Sequence, residues 1–408
     1  MGYNRLMKRA LILSTVLTLG LIFILPRPSS ACTGAVVSAN GSASGRPILW
    51  KNRDTDYFSN KVVYVTDQPF SYIALVNAHA PDGRHAFAGL NAAGFGIINT
   101  VAYNLPLHQN EMQDLEGIVM GDALRTCRTV MDFSAYLETR QGPDLGSQAT
   151  FGVMDAAGRA WLFEVHNHGY TVHDADKEAR DYLVVTNFAR SGPKNKGAGY
   201  LRFARATELF NTFPKGQVDF ETILTRFTRD TGHTLPHHPD PDTWKRSPKD
   251  SPNWIYASDC ISRPYTSAAV VMVGKDPDDP KSVATLWAIP GQPMCAAALP
   301  LWVESGEVPE DLWKGKDALL WQQSLALKAR LFPLRGGNRH EYMNLTILDN
   351  AAGTGILPPI LKQEQAILKE TRIFLSQPHT PAELAAFQRR ISTIDSPTTA
   401  SPSPQGRP

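Results

Sequence analysis

The order of apolar runs along the 408-residue chain predicts an α+β fold, built as a layered domain of antiparallel sheets with a helical carboxyl-terminal extension. Three observations carry that expectation. Strand-like runs come first, a helical pair interrupts them, strands return, two helices follow and a strand pair closes the series, so strands and helices do not alternate as βαβ units would. The runs are short and rich in β-branched residues, with Gly, Asn and Asp between them. Past Pro300 the pattern becomes helical.

From Cys32 to about Val101 the strand candidates are CTGAVVS, GRPILWK, NKVVYVTD, SYIALVNA and a fifth run, HAFAGLNAAGFGIINTVA. Helices are expected at 114 to 126 and 130 to 140, each with apolar residues on one face. TFGVMDAAGRAWLFEVHNHGYTVHD returns to strand, with a hairpin turn at Ala156-Ala157-Gly158. DYLVVTN at 181 to 187 adds another strand, and helices are expected at 200 to 213 and 218 to 229. A Pro- and His-rich loop at 232 to 253 precedes the last strand pair, SAAVVMVG and SVATLWAIP. Helices at 308 to 331 and 359 to 395 make an extension over 300 to 395 that packs on the 32 to 299 domain. From Ser396 the Ser, Thr and Pro content is too poor in apolar surface to order, so 396 to 408 reads as a disordered tail.

Before Cys32 stands a basic stretch with Arg5, Lys8 and Arg9, an apolar run from Ala10 to Leu25, Pro26, and the small residues Ser29-Ser30-Ala31. This is the pattern of a signal peptide over 1 to 31, which implies a periplasmic or secreted protein. Removing it leaves Cys32 first, and a thiol and a free α-amine on one residue form a nucleophile and base pair. Two other readings stay open. The apolar run approaches the roughly 17 to 25 residues that span a membrane, which would make it an uncleaved anchor. In a lipoprotein, acylation of the Cys32 sulfur would leave a lipid-anchored binding protein, but Ser29 stands where such signals carry Leu.

With 41 basic and 39 acidic residues the formal charge is +2, and no basic block recurs that could track a phosphate backbone, so nucleic acid is not an expected partner. No apolar run after the leader reaches spanning length, so no stable membrane association is expected once the leader is removed. Of four cysteines, Cys127 completes an apolar stripe with Leu115, Val119 and Ala123 and reads as a core thiol. Cys260 and Cys295 have the option of pairing in an oxidising compartment. His233, His237, His238, Asp240 and Asp242 have metal-ligand chemistry, but the interleaved prolines fit a solvated loop at a substrate mouth better than a preformed metal site.

Lys51-Asn52-Arg53-Asp54 closes the second strand, Gly89-Leu90-Asn91 and Asn99 lie in the fifth, and Thr186-Asn187 ends a later one. With Cys32-Thr33 at the start, the set resembles the choloylglycine hydrolase and isopenicillin N acyltransferase group of amino-terminal nucleophile (Ntn) hydrolases, which includes penicillin V acylase. The resemblance covers about residues 32 to 290 and implies a four-layer αββα sandwich. It also implies roles. Cys32 corresponds to the nucleophile, and Asp54 to the carboxylate that holds its amine. Asn187 corresponds to the side-chain oxyanion donor, with the backbone N–H near Asn99 as the second. Those relatives carry Arg three residues before the Asp, where this chain has Lys51, with Arg53 between; either cation would favour a thiolate. Arg263 lies about where the relatives place a late active-site Arg, the plain alternative being a salt-bridge or surface role.

The expected activity is hydrolysis of linear C–N amide bonds in a small-molecule substrate through a thioester on Cys32. No metal or organic cofactor is needed. Transfer of the acyl group to an amine, as in the isopenicillin N acyltransferase branch, is the alternative outcome of the same intermediate. Self-association into a homo-oligomer stays open.

Overall fold

The computed structural model describes residues 31–393 apart from 234, 236–243, 247, 249–252, 280 and 334–340. The leader to residue 30, the tail from 396, and His237, His238, Asp240 and Asp242 lie outside the described residues.

Two antiparallel sheets form the centre. The first strands are β1 (Thr33–Val37) and β2 (Ile48–Asp54), followed by β3 (Asn60–Val65), β4 (Tyr72–Asn77), β5 (Ala86–Asn91) and β6 (Gly96–Val101). After helices α1 (Glu116–Thr126) and α2 (Val130–Arg140) come β7 (Gln148–Met154), β8 (Ala160–His166), β9 (Gly169–Asp174) and β10 (Tyr182–Val185). Helices α3 (Tyr200–Phe210) and α4 (Phe220–Thr225) precede β11 (Trp254–Tyr256), β12 (Thr266–Val273), β13 (Thr285–Ile289) and β14 (Leu299–Leu301). Strands β3 to β9 form a seven-stranded sheet in chain order, and the six-stranded sheet has the order β10-β1-β2-β12-β13-β14.

Four layers follow from what each sheet face buries. On the outer face of the seven-stranded sheet, Val119, Met120, Ala123 and Leu124 of α1 and Phe133 and Leu137 of α2 share a core with Ala74, Ile97, Phe151 and Phe163. A Cβ on Gly89 would fall 2.4 Å from the Leu124 side chain, so glycine is what lets α1 lie this close. On the outer face of the six-stranded sheet, Trp50 stacks on Phe210 of α3 at 6.0 Å and meets Phe227 edge-on at 6.4 Å. Between the sheets, a Cβ on Gly34 would meet the Trp50 carbonyl at 2.4 Å and the Ile98 side chain at 3.4 Å. The αββα sandwich implied by the resemblance is the architecture observed.

Several sequence expectations are corrected. The fifth run is a hairpin: Asn91 Oδ1 accepts from the backbone of Ala93 and Phe95, and Gly94 takes φ +86° to turn the chain into β6. The helix expected at 200 to 213 stops at Phe210, and that at 218 to 229 gives way to a 3-10 turn at Phe227–Arg229. Over 308 to 331 a 3-10 turn at Glu310–Leu312 and Gly315 at φ +84° delay the helix, α5, to Leu319–Leu331. Then come β15 (Tyr342–Asn344), which pairs with β11, and α6 (Leu345–Leu348). The helix expected at 359 to 395 is two, α7 (Leu357–Phe374) and α8 (Pro381–Ser392). Pro381 and a reciprocal Thr380–Glu383 capping box restart the chain as α8.

The carboxyl-terminal segment is tied to the sandwich by buried polar contacts. Glu364 of α7 receives both arms of Arg229 at 2.9 and 2.7 Å and the Ala298 N–H at 2.8 Å. Gln388 of α8 accepts from the Trp302 N–H at 2.6 Å. Cys127, Cys260 and Cys295 are buried, and no disulfide joins Cys260 to Cys295. No helix among the described residues is long and apolar enough to cross a membrane.

Candidate active site

Strand β2 carries the centre. All seven of its residues are buried although four are polar, Lys51-Asn52-Arg53-Asp54. It lies between β1 and β12, and the ladder with β1 pairs Thr33 with Asn52 and Gly34 with Lys51. Continuing that register sets Cys32 across from Arg53 and Ala31 across from Asp54. Directly opposed residues of an antiparallel pair share a face, and alternate residues along a strand do too. Cys32, Lys51 and Arg53 therefore face the seven-stranded sheet, while Trp50, Asn52 and Asp54 belong to the opposite face.

On the inner face, Lys51 Nζ donates to the Phe87 carbonyl at 2.7 Å and to Asn99 Oδ1 at 2.6 Å. Arg53 stacks over the Phe87 ring at 3.7 Å and donates to Asn60 and Asn77, a cross-strand pair of β3 and β4. Burial brings Lys51 down to about 8 and Arg53 to about 10, and for each the Cys32 sulfur is the largest opposing influence. Both cations thus stand on the face of the thiol, and the choice between them that the sequence left open is not a choice.

On the outer face, Asp54 is buried. Its Oδ1 accepts from Thr266 Oγ1 at 2.8 Å, and its Oδ2 lies 3.8 Å from Arg263 Nε with no hydrogen-bond partner among the described residues. Burial raises this carboxyl to about 6, opposed by Arg263, Arg202, the Thr266 hydrogen bond and Lys328. Arg263 is thus a neighbour of Asp54, set by the turn that enters β12. A buried acceptor left open beside the nitrogen side of Cys32 is where an ammonium would find its counter-ion.

Asn187 and Cys32 are joined by a residue that sequence reasoning missed. Arg202 of α3 donates through Nη1 to the Cys32 carbonyl at 2.6 Å and Thr33 Oγ1 at 2.7 Å, and through Nη2 to Asn187 Oδ1 at 2.8 Å. That clamp fixes the amide orientation, so Asn187 Nδ2 points its hydrogens away from Arg202; one reaches the Val101 carbonyl at 3.0 Å. The seven residues singled out from sequence thus gather around the adjoining ends of β1 and β2 in separate polar sets: Lys51 with Asn99, and Arg53, on the inner face, Asp54 with Arg263 on the outer, and Cys32 with Asn187 through Arg202. Asn99 enters its set by its side chain, through Lys51.

Thr266 and Lys328 were also missed. A signal existed for two of the three missed residues: Arg202 lies on the buried stripe Arg202-Ala206-Phe210, and Lys328 on the stripe Trp321-Ser324-Leu327-Lys328-Leu331. A cation inside an apolar helical stripe is costly unless something receives it.

No family model matches the chain, and no curated protein does. Solved structures do. A mutant conjugated bile acid hydrolase from Clostridium perfringens is 12% identical at a TM-score of 0.38, over 64% of this chain and 92% of that one. Penicillin V acylase from Agrobacterium tumefaciens is 13% identical at 0.37, over 66% and 85%. The Caenorhabditis elegans ortholog of N-acylethanolamine-hydrolyzing acid amidase is 17% identical at 0.38, over 62% and 95%. At those scores the chemistry rests on the side chains of this chain.

Proposed function

We propose that the chain is an Ntn hydrolase whose nucleophile is Cys32, and more particularly an exported amidase that cleaves linear C–N bonds of N-acyl amides or short peptide-like substrates. The observation that carries this reading is the pairing of two buried cations on the Cys32 face with the open Asp54 Oδ2 on the other. Cleavage between Ala31 and Cys32 frees the α-amine. Asp54 orients that amine, which takes the thiol proton as the sulfur attacks the carbonyl carbon. The second N–H of Asn187 Nδ2, with the backbone N–H near Asn99, receives the oxyanion; one such donor is typically worth about 3 kcal/mol of barrier. The C–N bond then breaks and the α-ammonium protonates the leaving amine. Water, deprotonated by the same amine, attacks the thioester, and the acid departs as the thiol is restored. None of these steps calls on a metal or organic cofactor.

The test combines the intact mass of protein exported by its native pathway with turnover of an N-acyl amide panel. An unmodified start at Cys32, amine release by wild type and none by a folded Cys32→Ala are expected. A lipid mass on Cys32, a start elsewhere, or turnover that survives Cys32→Ala would end the reading. Dominant transfer to an added amine, rather than to water, would recast the enzyme as an acyltransferase.

A further inference from the structure

Lys328 enters the centre from outside the segment that carries the family resemblance. Helix α5 lays its buried stripe along the start of β12: Trp321 Nε1 donates to the Ser267 carbonyl at 3.1 Å, and Lys328 Nζ to the Thr266 carbonyl at 3.3 Å. The Lys328 ammonium stands 3.4 Å from the centroid of the Phe58 ring, a cation–π contact in a buried setting. Thr266 is the relay, because its hydroxyl donates to Asp54 Oδ1.

We propose that Lys328 is a positioning residue of the active site: by its charge and through Thr266 it holds Asp54 as an oriented anion, which makes the carboxyl-terminal segment part of the catalytic apparatus. This rests on the reading of Asp54 as the partner of the Cys32 amine. The groups around Asp54 are Arg263 before β12, Arg202 on α3, Thr266 on β12, Lys328 on α5, and Lys51 and Arg53 on its own strand. Around Lys328 they are Asp54 and Cys295, the latter also facing Arg229 and Arg330. Burial brings Lys328 down to about 7, opposed by Cys295 and Asp54. Lys328 therefore carries its charge below about 7, which covers the range at or below about 6 in which Asp54 takes up its proton. Loss of that cation raises the Asp54 midpoint, since an opposite charge nearby favours the carboxylate. A lysine present only to fill space under Phe58 would leave the midpoint where it is.

The experiment follows Asp54 directly in the mature chain with ¹³C-labelled aspartate carboxyls, the resonance assigned through Asp54→Asn, together with the pH profile of kcat/KM. In Lys328→Met the Asp54 midpoint and the acid limb are expected to move up together by on the order of one pH unit. Lys328→Arg, which keeps the cation, should hold both near wild type. Should the Met variant not fold, Lys328→Gln keeps a donor for the Thr266 carbonyl without the charge and takes its place. An unmoved midpoint in the folded neutral variant would overturn the proposal, as would a moved midpoint with an unmoved acid limb. The carboxyl titration reads the coupling even in a protein that turns over no amide, so failure of the amidase reading is told apart from failure of this one.

Discussion

Cys32 and Cys127 occupy regions that differ little in burial and greatly in charge. Both are buried free thiols. Cys127 closes α1 against the apolar layer of the seven-stranded sheet, and burial pushes its thiol up to about 12. Cys32 has Lys51 and Arg53 on its face and Arg202 on its carbonyl. Burial alone keeps a thiol protonated and inert, whereas a cation beside a thiol opposes that effect. Cys295 stands between the two: burial pushes it up to about 12 against the opposing charges of Lys328, Arg229 and Arg330. The two regions thus differ in the charges that the neighbouring strand brings to the thiol.

The comparison breaks most sharply at Asp54. Asp54→Asn removes the anion but keeps the shape, and is expected to lower kcat/KM by about 10²-fold or more, the scale of a lost general-base partner. Loss below tenfold in a folded variant would mean that the amine is oriented by something else. Wild type should lose activity on the acid side, at or below the value of about 6 that burial gives Asp54, because the Cys32 ammonium lowers the carboxyl further and a protonated Asp54 no longer holds it. An acid limb well above about 6 would place the active carboxylate elsewhere.

The two cations sharpen it next. Lys51→Met leaves Asn99 Oδ1 and the Phe87 carbonyl without their donor and strips one positive charge from the thiol. Iodoacetamide modification of mature protein, followed by peptide mass at pH 7, should label Cys32 well ahead of Cys127, Cys260 and Cys295. The Lys51→Met rate at Cys32 should be lower by roughly tenfold, since the thiolate is the nucleophile and a buried cation on its face is gone. Equal labelling of all four cysteines would erase the distinction drawn between the two regions.

The sandwich was legible because strand length, turn residues and strand-helix-strand order are local properties, and every strand of the seven-stranded sheet follows chain order. The candidate site was legible where buried polar residues coincided with a strand end, as in Lys51 to Asp54. Part of the motif proves to be structural: Asn91 shapes the β5–β6 turn and donates to the Leu124 and Cys127 carbonyls at the end of α1. Arg202, Thr266 and Lys328 escaped because they meet Cys32 and Asp54 across long sequence separations, for example 170 residues for Arg202 and Cys32. Helix ends beyond Pro300 escaped because turns such as that at Gly315 depend on backbone conformation, whereas periodicity runs straight through them.

The smallest effect completes the contrast. Cys127→Ala deletes one buried sulfur from the layer that contains Leu124, Val130 and Phe133, so it should cost about 1 kcal/mol through lost contacts and a small void. Asn91 contacts the Cys127 carbonyl rather than its sulfur, so the helix cap survives the change. Urea unfolding should show that loss while kcat/KM and its pH profile stay at wild type. The sulfur sits on the far side of the seven-stranded sheet from Lys51, and a change there has no charge to transmit. A Cys127→Ala variant of full stability but altered pH profile would mean that the two thiols share an electrostatic environment, and the separation between apolar and cationic cysteines would fail.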